Sequence, residues 1–210
     1  MIIHGSSLSP FVRKTMAFAA EKGLTFENKV GRPGSPDPEF LECSPFKKIP
    51  GFQDGDFRIS DSTAIVTYLE AAHPDPNLIP AEPKARARTI WFEEFADTIF
   101  VAAAGKIFFN KIVGPRFMGV EGDLAAIEKA ETEEMPPVLD YLEKIAPASG
   151  FLIEDRLTLA DIAVASPFAN LIHCGFDFAK WPKAKAWADA ILARPSFETV
   201  IAKERGFLGG

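Results

Sequence analysis

Hydrophobic positions recur with two different periods along this chain, and the point where one gives way to the other divides it. In residues 1–73 strand-like and helix-like patterns take turns. Apolar Met1-Ile2-Ile3 opens as a strand, a helical pattern runs from Pro10 to Lys22, and Phe26-Glu27-Asn28-Lys29-Val30 returns to period two. That order predicts a β-α-β unit. A polar loop from Gly31 to Pro38 leads into a short helical segment that ends at Cys43. Gly51-Phe52-Gln53 and Phe57-Arg58-Ile59 then flank Asp54-Gly55-Asp56, and Asp-Gly favours the positive φ of a hairpin turn. A further helix is predicted from Ser62 to Ala72, with Ile65, Tyr68 and Leu69 on one face.

Pro74, Pro76, Pro80 and Pro83 follow, and each removes a backbone donor and fixes φ, so neither a helix nor a central strand continues through them. The expected domains are residues 1–78 and 84–210, joined by a Pro-rich linker at 74–83. Beyond the linker the pattern is helical only: Phe92, Phe95, Ile99, Ala103 and Ile107 recur every three or four residues, as do Val138, Leu142 and Ile145. Pro136-Pro137 interrupts the stretch from Leu124 to Ile145 and predicts a kink or break there.

Composition narrows the function classes. Of 210 residues 47% are hydrophobic and 25% charged, an ordinary globular balance. The net charge of −6 is spread over both halves, so neither offers the basic footprint of a nucleic-acid binder. No apolar run approaches the roughly 18 residues of a membrane span, and Met1-Ile2-Ile3-His4-Gly5 carries no charged leader. A cytoplasmic chain with no nucleic-acid or membrane partner is expected. Cys43 and Cys174 stand far apart and outside any CxxC pair, so neither a disulfide framework nor a metal site is expected, and both read as buried fillers.

Three stretches can carry chemistry. Ser9-Pro10-Phe11 starts the first helix, with serine at the N-cap and proline at the first helical position. Capping alone accounts for that pattern, yet a capping hydroxyl keeps its own proton, which together with the helix N-terminus can stabilise a bound thiolate. Ser44-Pro45-Phe46-Lys47-Lys48-Ile49-Pro50 leads into the third strand. An X–Pro bond is trans by default; a cis bond would turn the Ile49 backbone outward as an edge for an extended peptide, with Lys47 and Lys48 near its carboxylate. Ile59-Ser60-Asp61-Ser62 runs from strand to helix, where Asp61 or Ser62 caps. The same residues suit an amino-acid headgroup, Asp61 facing its ammonium and Ser62 its carboxylate.

In this order and spacing the stretches resemble serine-type glutathione transferases. Ser9-Pro10-Phe11 through Gly23 is most similar to the plant tau-like first helix. Lys48-Ile49-Pro50, Phe52-Gln53-Asp54-Gly55-Asp56 and Asp61-Ser62 look like further family elements, as does Leu157-Thr158-Leu159-Ala160-Asp161 in the helical half. In that last stretch Thr158 and Asp161 form a capping box, and Leu157 and Ile162 have staple spacing, so Asp161 is structural. The resemblance implies an α/β thioredoxin-like N-terminal domain plus an all-α C-terminal helical domain. It implies glutathione as co-substrate, conjugated to apolar electrophiles.

By the same resemblance Ser9 donates to the glutathione sulfur, and Lys48 binds the glycyl carboxylate, with Arg32 a weaker candidate there. Ile49 before a cis Pro50 pairs with the cysteinyl backbone, while Asp61 and Ser62 take the γ-glutamyl end. Phe11, Phe100, Phe108, Phe109 and Phe117 are candidates for the hydrophobic substrate site. A homodimer is implied, with Phe46 as an aromatic anchor unless it packs inside its own domain. Ser6 and Ser7 compete with Ser9, because Ser-Ser-x-Ser is also similar to zeta-type maleylacetoacetate isomerases. Alternatives are therefore a glutathione-dependent isomerase and a non-catalytic transferase-like binding module. The absence of cysteine from Ser6 to Val12 argues against a thiol transferase working through a mixed disulfide.

Overall fold

The computed structural model describes residues 1–147 and 150–209. Its first part runs β1 (Ile2–His4), α1 (Pro10–Glu21), β2 (Glu27–Lys29), α2 (Pro38–Cys43), β3 (Gly51–Asp54), β4 (Phe57–Ser60) and α3 (Ser62–Ala72). The sheet order is β2-β1-β3-β4, with β1 parallel to β2 and antiparallel to β3, and β3 antiparallel to β4. This is the expected β-α-β unit followed by a helix, a hairpin and a helix. Gly55 takes the positive φ of 59° at the hairpin, where Tyr68 stacks on Phe57 and donates its hydroxyl to Asp54 at 2.9 Å.

A helical series follows: α4 (Pro83–Glu94), α5 (Val101–Phe108), α6 (Leu124–Lys129), α7 (Met135–Ile145), α8 (Leu159–His173), α9 (Pro182–Leu192) and α10 (Pro195–Phe207). Residues 159–171 of α8 are all buried, the mark of a helix at the centre of its unit. Phe168 on α8 meets Phe100 edge-on at 5.1 Å and stacks on Phe178 at 5.6 Å. Asp161 starts this helix as anticipated: it accepts from Thr158 N at 2.9 Å and Leu152 N at 2.8 Å, completing the capping box.

Two details depart from the sequence pattern. Between α4 and α5, Phe95–Phe100 widens into a π-helical turn, and the extra residue rotates Ile99 out to 51% exposure while Phe92, Phe95, Ala103 and Ile107 stay buried. The break expected at Pro136-Pro137 falls earlier, in the widened turn Ala130–Glu134. The prolines follow it directly, in the first turn of α7.

The described residues form two compact units: Met1–Ala81 with the segment from Arg194 onward, and Glu82–Ala193. The last helix thus packs with the first unit, where the sequence division placed it in the second. Ion pairs hold it. Arg13 in α1 donates Nε and Nη2 to the Glu204 carboxylate at 3.0 and 2.8 Å, both side chains fully buried. Arg194 and Ser196 both donate to Glu21 at the other end of α1. Burial alone would push Glu21 upward, but these hydrogen bonds hold its carboxyl below the usual range.

Candidate functional site

Strand register gathers most of the candidate residues at one end of the sheet. His4 lies opposite Gly51, and Gly51 opposite Ser60. The chain therefore leaves β1 at Gly5, enters β3 from Ile49-Pro50 and leaves β4 at Asp61, all on the same side, where α1 and α3 also begin. The 30–37 loop after β2, which carries exposed Arg32, leaves there too. Two helix N-termini, with the positive ends of their dipoles, thus lie at one end of the sheet.

Ser9 takes the N-cap position with extended backbone (φ −73°, ψ 127°), but its hydroxyl makes no capping bond. The plain capping role is thereby corrected: the half-buried hydroxyl lies outside the helix ladder, although Pro10 leaves the N–H groups of Phe11 and Val12 that a cap would serve. Elsewhere carboxylates do cap. Asp37, Asp61, Glu82 and Asp123 each accept from a backbone N–H two or three residues on. Ser6 and Ser7 lie in the turn before the helix. Ser6 Oγ accepts a long 3.4 Å bond from Leu8 N, and Ser7 is buried.

The Ile49–Pro50 bond is cis, the geometry the resemblance implied and not the trans default. Ser44, fully buried, shapes the segment before it: its hydroxyl accepts from Lys48 N at 3.0 Å and donates to Lys48 O at 2.7 Å. Sequence reasoning passed over this residue, since a serine before proline reads as an ordinary turn start. Lys47 and Lys48 are exposed. Phe46 just before them is 87% exposed, so it does not pack inside its own domain.

At the β4–α3 junction Asp61 holds φ at 82°, a left-handed value unusual for a residue with a Cβ and costing about 1–3 kcal/mol. Its Oδ1 caps Ala64 N at 3.0 Å, and Ser62 behind it is buried. The capping role left open between the two belongs to Asp61. Strained backbone on an exposed acidic residue beside a helix start is the kind of outlier that accompanies ligand binding.

The candidate hydrophobic residues divide. Phe11 is half-buried at the start of α1. Phe100 is completely buried against Phe168 and offers no surface to a ligand, which corrects its assignment: it is core. Phe108 is 7% exposed, whereas Phe109 and Phe117 are exposed in the wide turn Phe109–Met118. Burial pushes the Cys43 thiol up and that of half-buried Cys174 up to about 12, so neither is a ready nucleophile. Among the described residues no group of three His, Cys, Asp or Glu side chains comes together as a metal ion would need. Among the described residues no helix is long and apolar enough to cross a membrane.

A thioredoxin-like sheet unit and a helical unit, with a serine, a cis-proline loop and a capping aspartate at one sheet end, make up the fold of a glutathione transferase. Comparison with known proteins agrees. The glutathione S-transferase N-terminal domain family matches residues 3–77 and the C-terminal domain family residues 116–204. A glutathione S-transferase of Hyoscyamus muticus is 32% identical over 96% of this chain and 97% of its own length, and glutathione S-transferase 3 of Zea mays is 32% identical over 95% and 92%. Among solved structures, glutathione S-transferase III in its apo form superposes with a TM-score of 0.81 at 32% identity, covering 96% of this chain and 95% of that one. A Rhodospirillum rubrum glutathione S-transferase gives 0.86 at 25% identity, covering 95% and 90%. The chain belongs to the glutathione S-transferase family.

Proposed function

We propose that this enzyme conjugates the thiolate of glutathione to apolar electrophiles, with Ser9 as the hydroxyl donor that holds the sulfur ionised. The observation that carries the reading is the uncommitted Ser9 hydroxyl at the first turn of α1. A free thiol with a pKa of about 8.5 is only a few per cent ionised at neutral pH. Lowering it by about two units takes roughly 2.7 kcal/mol, within reach of one charge-assisted hydrogen bond aided by a helix N-terminus. The electrophile is then attacked by a nucleophile already charged and oriented.

The rest of the tripeptide fits the same sheet end. Ile49 before Pro50 meets the cysteinyl backbone, Lys48 the glycyl carboxylate, with Arg32 as second candidate, and Asp61 with Ser62 the γ-glutamyl group. Phe11, Phe108 and Phe117 are proposed for the electrophile. The enzyme works as a cytoplasmic homodimer without a metal, and the 87% exposure of Phe46 supports a role at the subunit contact.

The test is Ser9→Ala, read as glutathione consumption with 1-chloro-2,4-dinitrobenzene and as the ultraviolet thiolate absorbance of bound glutathione against pH. The expected result is a fall in kcat/KM of roughly a hundredfold, with the bound thiol titrating near its free value. A variant with full activity and an unmoved thiol titration would remove Ser9 from its role. Turnover of a substrate without loss of glutathione would assign an isomerase instead.

A further inference from the structure

We infer that Gly5, clamped by Asn28, is a positioning residue of this site that sets how close Ile49 stands to the start of α1; the inference rests on the glutathione reading above. Gly5 is the first residue past β1 and holds φ at 137°, a conformation that residues with a Cβ rarely adopt. Its two backbone groups are both fixed. The N–H donates to Lys29 O at 2.9 Å, and the carbonyl accepts from Asn28 Nδ2 at 3.0 Å. Asn28 gives its other amide hydrogen to Ile3 O at 3.0 Å, so the side-chain amide bridges the last turn of strand to the residue that leaves it.

What Gly5 lacks is as informative as what it bonds. A Cβ there would stand 2.7 Å from Val12 Cγ2 and 3.0 Å from Ile49 Cβ, where ordinary contacts lie at 3.4–4 Å. Val12 lies on α1, one turn beyond Ser9, and Arg13 N donates to Ser9 O in the same turn. Gly5 is therefore the thin point between the helix that presents the hydroxyl and the residue that seats the cysteinyl backbone. The glutathione sulfur must satisfy both. A side chain at position 5 forces Ile49 and α1 apart by several tenths of an ångström, and misplacements approaching 1 Å cost up to about a hundredfold in a positioned reaction.

Three variants test this, with Val12→Ala as the reference for the double variant and the unaltered chain for the other two; all are measured for thermal unfolding, for glutathione Kd from tryptophan fluorescence, and for the pH midpoint of the bound thiol. Gly5→Ala adds the methyl group. Gly5→Ala/Val12→Ala, read against Val12→Ala, removes the clash on the helix side and keeps the one against Ile49. Asn28→Asp keeps the shape but can no longer donate to either carbonyl. The expected result is a glutathione Kd raised roughly tenfold in both Gly5 variants and a few-fold in Asn28→Asp, with the thiol midpoint moved towards that of free glutathione. Variants that melt earlier yet keep the Kd and midpoint of their reference would show a merely structural role and overturn the inference. Should neither Gly5 variant fold, Asn28→Asp decides by the same two readouts. An unaltered chain that bound no glutathione would remove the functional reading as well, whereas normal binding by that chain and by the variants removes only the role of Gly5.

Discussion

Buried His4 and Asp161 respond to acid in opposite directions. Burial in β1, helped by the positive charge of Lys29, holds the imidazole below its ordinary value of 6.5. The unfolded chain then binds the proton more readily, so His4 contributes stability above pH 6.5 that is lost as the pH falls through its depressed pKa. Burial raises Asp161 from 3.8 to about 6 against the pull of the Leu152 and Thr158 hydrogen bonds. Here the folded chain holds the proton more tightly, so the contribution is fully present below about pH 4 and disappears as the pH rises through about 6. Urea unfolding from pH 4 to 7 should therefore show His4→Phe losing an acid-side decline, and Asp161→Asn losing an acid-side gain. Asp161→Ala leaves two backbone donors without their acceptor and should cost about 2–4 kcal/mol at pH 7. Its role was legible because the Thr-x-x-Asp spacing is local. That of Gly5 was not, since its neighbours Val12 and Ile49 meet it only once the sheet has formed.

At the scale of elements, α10 depends on charge buried against α1. Removing one partner of the Arg13–Glu204 pair strips the other, fully buried, of its bidentate counter-charge, which costs about 3–5 kcal/mol. Glu204→Ala should lower the urea midpoint accordingly, while Arg194→Ala, whose guanidinium is a third exposed, should cost much less. The sequence showed α10 as a helix, but nothing in its period named its partner, because Arg13 and Glu204 lie at opposite ends of the chain. The β-α-β unit, the hairpin and α3 were legible almost to the residue, since period, Asp-Gly and the capping residues act over a few positions. The π-helical turns were not. A single extra residue per turn leaves the count of apolar positions almost unchanged and shows only as Ile99 turned outward.

For the whole molecule, the exposed Phe46 makes a prediction about assembly. Sedimentation should give twice the 23.0 kDa of the chain, and Phe46→Ser should shift the distribution towards the single chain without altering far-ultraviolet circular dichroism. Ser9 has a consequence of another kind. Because its hydroxyl bears no part of the helix ladder, Ser9→Ala should leave the thermal midpoint within about a degree or two, where loss of a working cap costs about 1 kcal/mol. The position proposed to hold the thiolate is thus loosely tied to folding. Over evolutionary time such a position is open to drift, so descendants of this gene can trade one thiol-handling side chain for another there and keep the scaffold intact.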